Sequence, residues 1–321
     1  MELDRIERFA SVFEAARRGI GNVVKGQDRV IEGLLTAFFA GGHALVEGPP
    51  GTGKTLLASS LGVAFGAACT RVQFTPDLMP ADIVGTTVYD AASGKFALKR
   101  GPVFTDILLA DEVNRAPAKT QAALLEAMQE RRVSIDGSTT NLGPGFFVVA
   151  TQNPIEMEGT YRLPEAEVDR FLVKLDIGYP EEASELELLA AVCAGYRADR
   201  LDTGPVPRVA ESGELESLRE TARGVAVDEA LLAYVIRLVR ATRAYPGVEL
   251  GCSPRGGVSL LAALRVAAAS RGRAFATPDD VKSVAPSIIG HRIMPSPEAE
   301  LEGLSGAKVV AAILERTEVP R

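Results

Sequence analysis

Five short apolar runs, each of strand length, recur along the first 180 residues of the chain. They are His43–Glu47, Arg71–Thr75, Ile107–Asp111, Phe146–Ala150 and Leu172–Asp176. Stretches with helical spacing separate them, including Leu56–Phe65 and Lys119–Gln129. Nearly continuous apolar strands that alternate with helices are typical of a parallel sheet covered on both faces. The pattern therefore predicts an α/β fold with a five-stranded parallel sheet flanked by helices.

Two segments with a different pattern interrupt this alternation. Residues 86–98 and 132–142 each contain two strand-like runs around a turn, and Asp136-Gly137 is a strong signal for a tight turn. We predict a β-hairpin insertion at each place, which could face a central pore or a substrate, or could simply be solvated. The basic residues that flank the two hairpins are Lys99, Arg100, Arg131 and Arg132.

The chain becomes helical after about residue 180. Glu181–Gly195 is predicted to be an amphipathic helix, and residues from Asp228 onward read as an all-helical region. Thr277 followed by Pro278 marks the start of one of its helices. We therefore predict an α/β core with an N-terminal helix and both hairpins over 1–195, a linker or extra helix over 196–227, and a small all-helical domain over 228–321.

Composition excludes some classes of protein and disfavours others. The 321 residues carry a net charge of −7, which weighs against a general nucleic-acid binder. No apolar stretch is long enough to span a bilayer, and Met1–Arg5 lacks the apolar core of a signal peptide, so we expect a cytoplasmic protein. Two histidines leave little material for a histidine-rich metal site. The three distant cysteines are expected to be buried, reduced thiols.

A phosphate-binding motif follows the first predicted strand. The eight residues that match GxxxxGK[ST] are Gly48, Pro49, Pro50, Gly51, Thr52, Gly53, Lys54 and Thr55, and Leu56 comes next in the helix that the motif opens. In this strand–loop–helix context the glycines let several N–H groups face one anion. We expect Lys54 to reach the β- and γ-phosphates of a nucleotide and the Thr55 hydroxyl to coordinate Mg²⁺.

A pair of acidic residues ends the third strand of the predicted sheet. Asp111 at the strand tip can hold Mg²⁺, directly or through water. Glu112 can then polarise a water molecule for in-line attack on the γ-phosphate. Many strands end in acids, so the pair alone is weak evidence for a catalytic role. Its position 57 residues after Lys54 favours that role.

Together with these motifs, further segments resemble the AAA+ superfamily and, within it, the MoxR family of ATPase chaperones. The matching segments are Val24–Gln27, Asp111–Ala116, Lys119–Met128, Ala150–Pro154, Leu163–Phe171 and Ser253–Arg255. They occur in the order expected for the family and cover about residues 22–290. The resemblance implies that Gly26 and Gln27 belong to the element that lies over the adenine of ATP.

The resemblance also implies further catalytic residues. Asn153 would orient the attacking water or touch the γ-phosphate. Arg170 would be donated to the ATP of the neighbouring subunit, with Arg162 as the competing candidate for this arginine finger. Arg255, at the first turn of a lid helix, would read the γ-phosphate, either in its own subunit or in the next one. His43 is interpreted as a structural residue.

The resemblance implies a ring-shaped homo-oligomer, expected to be a hexamer, that remodels or activates other proteins. Examples would be metal-centre insertion or complex maturation, with partners that contain a von Willebrand factor A domain. A nucleic-acid motor or loader and a metal-chelatase motor subunit are the alternatives, since related clades share the hairpins. A further alternative is a scaffold that binds ATP without hydrolysing it. The presence of Glu112 and Arg170 argues against this alternative.

Overall fold

The computed structural model describes residues 2–90, 94–153, 161, 163–197 and 206–320. Its α-helices are α1 (Glu2–Gly21), α2 (Asp28–Ala40), α3 (Lys54–Phe65), α4 (Pro80–Val84), α5 (Ala118–Glu130), α6 (Glu165–Val168), α7 (Glu182–Cys193), α8 (Leu215–Arg223), α9 (Glu229–Arg243), α10 (Pro254–Ser270), α11 (Pro278–Ile289), α12 (Pro297–Leu301) and α13 (Gly306–Arg316). Its strands are β1 (Ala44–Glu47), β2 (Cys69–Gln73), β3 (Gly85–Asp90), β4 (Lys95–Arg100), β5 (Ile107–Asp111), β6 (Arg132–Ile135), β7 (Ser138–Asn141), β8 (Phe147–Gln152), β9 (Val173–Asp176), β10 (Val248–Leu250) and β11 (Met294–Pro295).

The central sheet has five parallel strands in the order β2-β5-β8-β1-β9. This confirms the predicted fold class and each of the five predicted strands. Because all strands run in the same direction, their last residues meet along one side of the sheet, which we call the carboxyl edge. The opposite side, where the strands begin, is the amino edge.

Alternate side chains of the strands enter two separate cores. Val46, Leu109 and Val149 point into a cluster with α1, α2 and α3, whereas Leu45 and Leu108 point into a cluster with α5 and the second hairpin. The sheet is therefore covered on both faces, and both faces need apolar side chains. This explains why the strands read as continuous apolar runs rather than as an alternation.

Both predicted hairpins are present as separate two-stranded antiparallel ribbons. β3 pairs with β4 around Tyr89 and Phe96, which lie opposite each other with ring centroids 5.3 Å apart. β6 pairs with β7, and the turn between them is Asp136-Gly137, as predicted. All side chains of β4 are exposed.

The C-terminal region is mostly helical, as predicted, with one difference. β10 and β11 form a short antiparallel ribbon, so the expectation of an all-helical region was wrong there. α11 does begin after Thr277, whose backbone N–H donates to the carboxylate of Asp280 over 2.8 Å. α10 belongs to the same buried cluster as α1 and α2, so the helical region packs against the α/β region. The proposed domain limits at 195 and 227 stay a prediction.

Two expectations about exposure were wrong. α7 lies where an amphipathic helix was predicted, but none of its side chains is buried. Cys69 and Cys193 are exposed free thiols, whereas Cys252 is buried as expected. Within the described residues, no helix is both long and apolar enough to cross a membrane.

Candidate functional site

The loop between β1 and α3 has the shape that an anion-binding loop needs. Gly51 and Gly53 have φ angles of 82° and 88°, which side-chain-bearing residues rarely adopt. A Cβ on Gly48 would lie 2.1 Å from the carbonyl oxygen of Ile177, so only glycine fits there. Gly53 is the N-cap of α3, which leaves the first N–H groups of the helix available to an anion.

Lys54 spans this loop from the first turn of α3. Its Nζ donates to the carbonyl oxygens of Gly48 at 2.7 Å and Pro49 at 2.8 Å. Burial lowers the pKa of Lys54, while the nearby negative charges of Asp111 and Glu112 oppose this change. The ammonium group is thus held between the loop and both acidic residues.

The other loop residues complete this frame. The Thr52 hydroxyl donates to the carbonyl oxygen of Pro49 over 2.9 Å and closes the loop. Pro50 and Thr55 are exposed, so the Thr55 hydroxyl is open to a ligand at the start of α3. Leu56 is half-buried and packs against the core below the loop.

Asp111 is buried at the end of β5, and each of its oxygens has a partner. The Thr151 hydroxyl donates to Oδ1 over 2.6 Å. Arg71 on β2 donates to Oδ2 from Nε at 3.0 Å and from Nη2 at 2.7 Å. These bonds fix the direction of the carboxylate at the carboxyl edge.

Glu112 is held in an uncommon backbone conformation. Its φ and ψ angles are 56° and 51°, in the left-handed region, and its N–H donates to the Thr151 hydroxyl over 2.9 Å. The carboxylate Oε2 accepts hydrogen bonds from Gln73 Nε2 at 2.7 Å and from Arg115 Nη1 at 3.1 Å. The side chain is therefore aimed by groups on β2 and on the turn that follows β5.

Asn153 and the α1–α2 loop border the same edge. Asn153 is buried directly after β8, the strand that pairs with β5 on one side and β1 on the other. Gly26 has a φ angle of 71°, and Gln27 Nε2 donates to the carbonyl oxygen of Gly178 over 2.9 Å. A Cβ on Gly53 would lie 3.9 Å from Val24 Cγ1, so this loop rests against the phosphate loop.

The donors present here fit Mg²⁺ bound together with a nucleotide. The buried Asp111 carboxylate and the exposed Thr55 hydroxyl supply the hard oxygen ligands that Mg²⁺ prefers. Among the described residues there is no cluster of three or more histidine, cysteine or acidic side chains that could hold a metal ion. A site that combines one carboxylate with phosphate oxygens is the usual arrangement for this ion.

Arg170 and Arg255 lie together, but on the other side of the sheet. They line one cavity of about 170 Å³ with Gly42 and Leu172, next to the beginnings of β1 and β9. The Leu172 N–H donates to the carbonyl oxygen of His43, which places this segment at the amino edge. Both arginines are therefore separated from the phosphate loop of their own chain by the length of the strands. Arg162 lies outside the described residues.

Arg292 organises the amino edge, although the sequence did not single it out. It is buried, its Nε donates to Asp169 Oδ1 over 2.7 Å, and its Nη2 donates to the Phe171 carbonyl oxygen over 2.6 Å. Arg255 approaches the other oxygen of the Asp169 carboxylate at 3.7 Å. One arginine from the helical region thus anchors the segment that presents Arg170.

Sequence reasoning also missed the residues that position the two acids. Arg71 and Gln73 belong to a predicted strand, where polar residues two positions apart share a face. This spacing, in a strand predicted to lie near one that ends in two acids, could have indicated that Arg71 and Gln73 contact those acids. Thr151 had no comparable signal, because it is one polar residue within an apolar run.

Comparison with known proteins agrees with this architecture. The model of the ATPase family associated with various cellular activities (AAA) matches residues 43–173, and that of the AAA lid domain matches residues 240–316. Chaperone MoxR1 of Mycobacterium tuberculosis is 40% identical over 100% of this chain and 84% of its own length. Protein MoxR of Methylorubrum extorquens is 33% identical over 88% of each chain. A crystal structure from Cytophaga hutchinsonii superposes with a TM-score of 0.90 at 38% identity, over 99% of this chain and 98% of that one.

The fold, the phosphate loop and these matches define an ATPase of the AAA+ class. Within that class, the chain belongs to the MoxR family. The predicted family and enzyme class are therefore confirmed.

Proposed function

We propose that the chain hydrolyses ATP at sites completed between subunits of a ring, and that turnover remodels or activates partner proteins. The observation that carries this proposal is the placement of the charged groups. Lys54 and Glu112 lie at the carboxyl edge of the sheet, whereas Arg170 and Arg255 lie at the amino edge. A second copy that turns its amino edge toward this phosphate loop would complete the site with both arginines.

Each group at the carboxyl edge has a part in the reaction. The backbone N–H groups around Gly51 and Gly53 and the ammonium of Lys54 would bind the phosphates of ATP. Thr55 and Asp111 would hold Mg²⁺, which neutralises the phosphate charge when it is bound. Glu112 would take the proton of the attacking water, which the buried amide of Asn153 helps to orient.

The arginines at the amino edge would act on the ATP of the next subunit. The negative charge on the transferred phosphate spreads over its oxygens in the transition state, and a guanidinium group stabilises that charge. Arg170 is the group that we assign to this step. Arg255 lies in the same cavity, which supports action in the next subunit rather than in its own.

The first hairpin offers a surface for the remodelled protein. Tyr89, Phe96 and Leu98 are large apolar side chains that are exposed on one face of β3 and β4, and Val88, Lys95 and Lys99 lie on the other face of the same ribbon. A mixed apolar and basic surface suits a protein segment that is apolar and acidic. The family resemblance suggests a partner with a von Willebrand factor A domain, and the name of chaperone MoxR1 supports a chaperone-like role.

The experiment that tests the shared site measures Mg²⁺-dependent ATP hydrolysis per subunit over a wide range of protein concentration. Specific activity should rise steeply with concentration, because a single subunit lacks the arginines of its neighbour. The Lys54→Ala variant serves as the blank, and Lys119→Ala, which removes an exposed lysine on α5, is the matched control. Flat activity across a range in which sedimentation shows single subunits would contradict the proposal.

A further inference from the structure

α7 is a helix whose apolar side chains point away from the rest of the described chain. Leu186, Leu189 and Val192 are 68%, 63% and 54% exposed, and no residue of this helix is buried. Only Ser184 and Ala191 are partly covered. Such a continuous apolar surface on a folded protein marks an interaction site rather than an ordinary solvated face.

The position of α7 relates this surface to the phosphate loop. A Cβ on Gly26 would meet Pro180 and Ser184 at about 3 Å, so the start of α7 packs on the α1–α2 loop. The Lys25 ammonium also pairs with the carboxylate of Glu187 over 3.2 Å. The covered face of α7 therefore lies against the loop beside the phosphates, and the apolar face borders the same edge.

A neighbouring subunit that reaches this phosphate loop comes close to α7, which lies beside it. Arg170 and Arg255 of a second copy are the groups proposed to do so. Val258 lies one helical turn after Arg255 on α10, so both share a face, and Val258 is 68% exposed. A second copy that delivers Arg255 would bring an apolar side chain with it.

We infer that the apolar face of α7, formed by Leu186, Leu189 and Val192, seats the α10 face of the neighbouring subunit that carries Arg255 and Val258. The inference rests on the proposed shared site and adds a surface to it. Because the two faces lie at opposite edges of the sheet, the contact is head-to-tail and repeats around a ring. Burial of α7 then holds the subunits together and sets the position of Arg255.

The test places charges on this face with the double variant Leu186→Asp/Leu189→Asp. Sedimentation over a concentration series measures assembly. The double variant should need a protein concentration at least ~10-fold higher than the wild type to assemble, which corresponds to a loss of ~1.4 kcal/mol in association free energy. Nucleotide affinity of the single subunit should stay unchanged, because the phosphate loop is complete within one chain. Leu301→Asp is the matched control, because Leu301 is 90% exposed on α12 and should tolerate the charge.

The outcomes separate this inference from the proposed function. Wild-type assembly of the double variant would overturn the inference, even if activity depends on concentration. Flat wild-type activity among single subunits would instead contradict the proposed shared site. Unchanged assembly with loss of binding to lipid vesicles, or to a partner protein, would show that α7 has a different occupant and would also overturn the inference.

Cross-linking gives a second readout that does not depend on activity. Cys193 comes one helical turn after Leu189 and two turns after Leu186, so it lies on the same apolar face of α7. Cys193 is exposed, whereas Cys252 is buried. In a Cys69→Ser background, Val258→Cys should let a short bismaleimide join subunits into a ladder of covalent oligomers. The same protein with Cys193→Ser should show no ladder. Assembled protein that carries both cysteines and forms no ladder would overturn the inference.

Discussion

The two edges of the sheet present charged groups in different ways. At the carboxyl edge, the side chains of Lys54, Asp111 and Glu112 each have at least two hydrogen bonds within the chain. At the amino edge, Arg170 makes no side-chain hydrogen bond or ion pair among the described residues, and Arg255 makes one ion pair at 3.7 Å. This difference supports our proposal that the first edge binds the nucleotide and that the second supplies arginines to the next subunit.

The largest expected effect on ATP turnover comes from removing Arg170, the arginine proposed to act on the ATP of the next subunit. Arg170→Ala should lower ATP turnover by roughly 10³-fold or more, because the transition-state charge loses its guanidinium partner. ATP binding should persist, since the phosphate loop is intact. In mixtures with wild-type protein, turnover should fall more steeply than the fraction of variant.

The matched control is Arg316→Ala, which removes an exposed arginine at the end of α13. Turnover that falls linearly with the variant fraction would contradict a site shared between subunits. The mixing series is measured at a concentration where wild-type activity per subunit is maximal.

The next largest effect concerns Glu112, whose carboxylate is held by hydrogen bonds within its own chain. Glu112→Gln should bind ATP normally and lower hydrolysis by roughly 10²–10⁴-fold, because the amide cannot accept the proton of water. Single-turnover hydrolysis together with nucleotide binding measures both quantities. Glu126→Gln, which changes an exposed acid on α5, should leave both unchanged. Normal hydrolysis by Glu112→Gln would remove this residue from the role of general base.

Two arginines of the amino edge should differ in their effect on stability. Arg292→Met should lower the free energy of unfolding by about 2–4 kcal/mol, because Asp169 and buried carbonyl oxygens lose their donor. Arg255→Met should change it by less than ~0.5 kcal/mol, since its ion pair is exposed and long. Denaturant unfolding of both variants measures these two changes in the free energy of unfolding. Equal changes would contradict the interpretation that Arg292 stabilises the fold and that Arg255 does not.

The smallest effect concerns His43 at the amino edge. Val148 N–H donates to Nδ1, the ring Nε2 lies 3.0 Å from the Met128 carbonyl oxygen, and burial lowers the pKa of His43 to about 4. In the unfolded chain the pKa is about 6.5, so the unfolded state binds the proton first as pH falls. Stability should therefore decrease from about pH 6.5 down to about pH 4, with a loss from this group of ~2 kcal/mol at pH 5.

Urea unfolding at pH 7 and pH 5 measures this loss, with His43→Gln as the comparison, because glutamine does not titrate there. His291 has its pKa lowered to about 3, mainly by burial, and is unchanged in both proteins. The difference between the two pH dependences thus isolates His43. Equal pH dependence would show that His43 does not control acid stability.

Much of the fold could be predicted because its signals are local. Apolar runs identify strands that are covered on both faces, and Thr277-Pro278 identifies a helix start through short-range hydrogen bonding. α7 was correctly predicted as a helix, but none of its side chains is buried, because an apolar pattern does not show whether its side chains are covered by the same chain. Arg292 was missed because its partner Asp169 lies 123 positions away, and such a contact leaves no local pattern.

The backbone of Glu112 shows a conflict between stability and activity. A left-handed conformation costs a residue with a Cβ roughly 1 kcal/mol or more, and glycine would remove most of that cost. Replacement of Glu112 by glycine would therefore relax the turn after β5 while it deletes the carboxylate. Selection for thermal tolerance alone would favour that change, and selection for turnover opposes it. Searches for more heat-resistant forms of this protein should therefore leave this position out of their libraries.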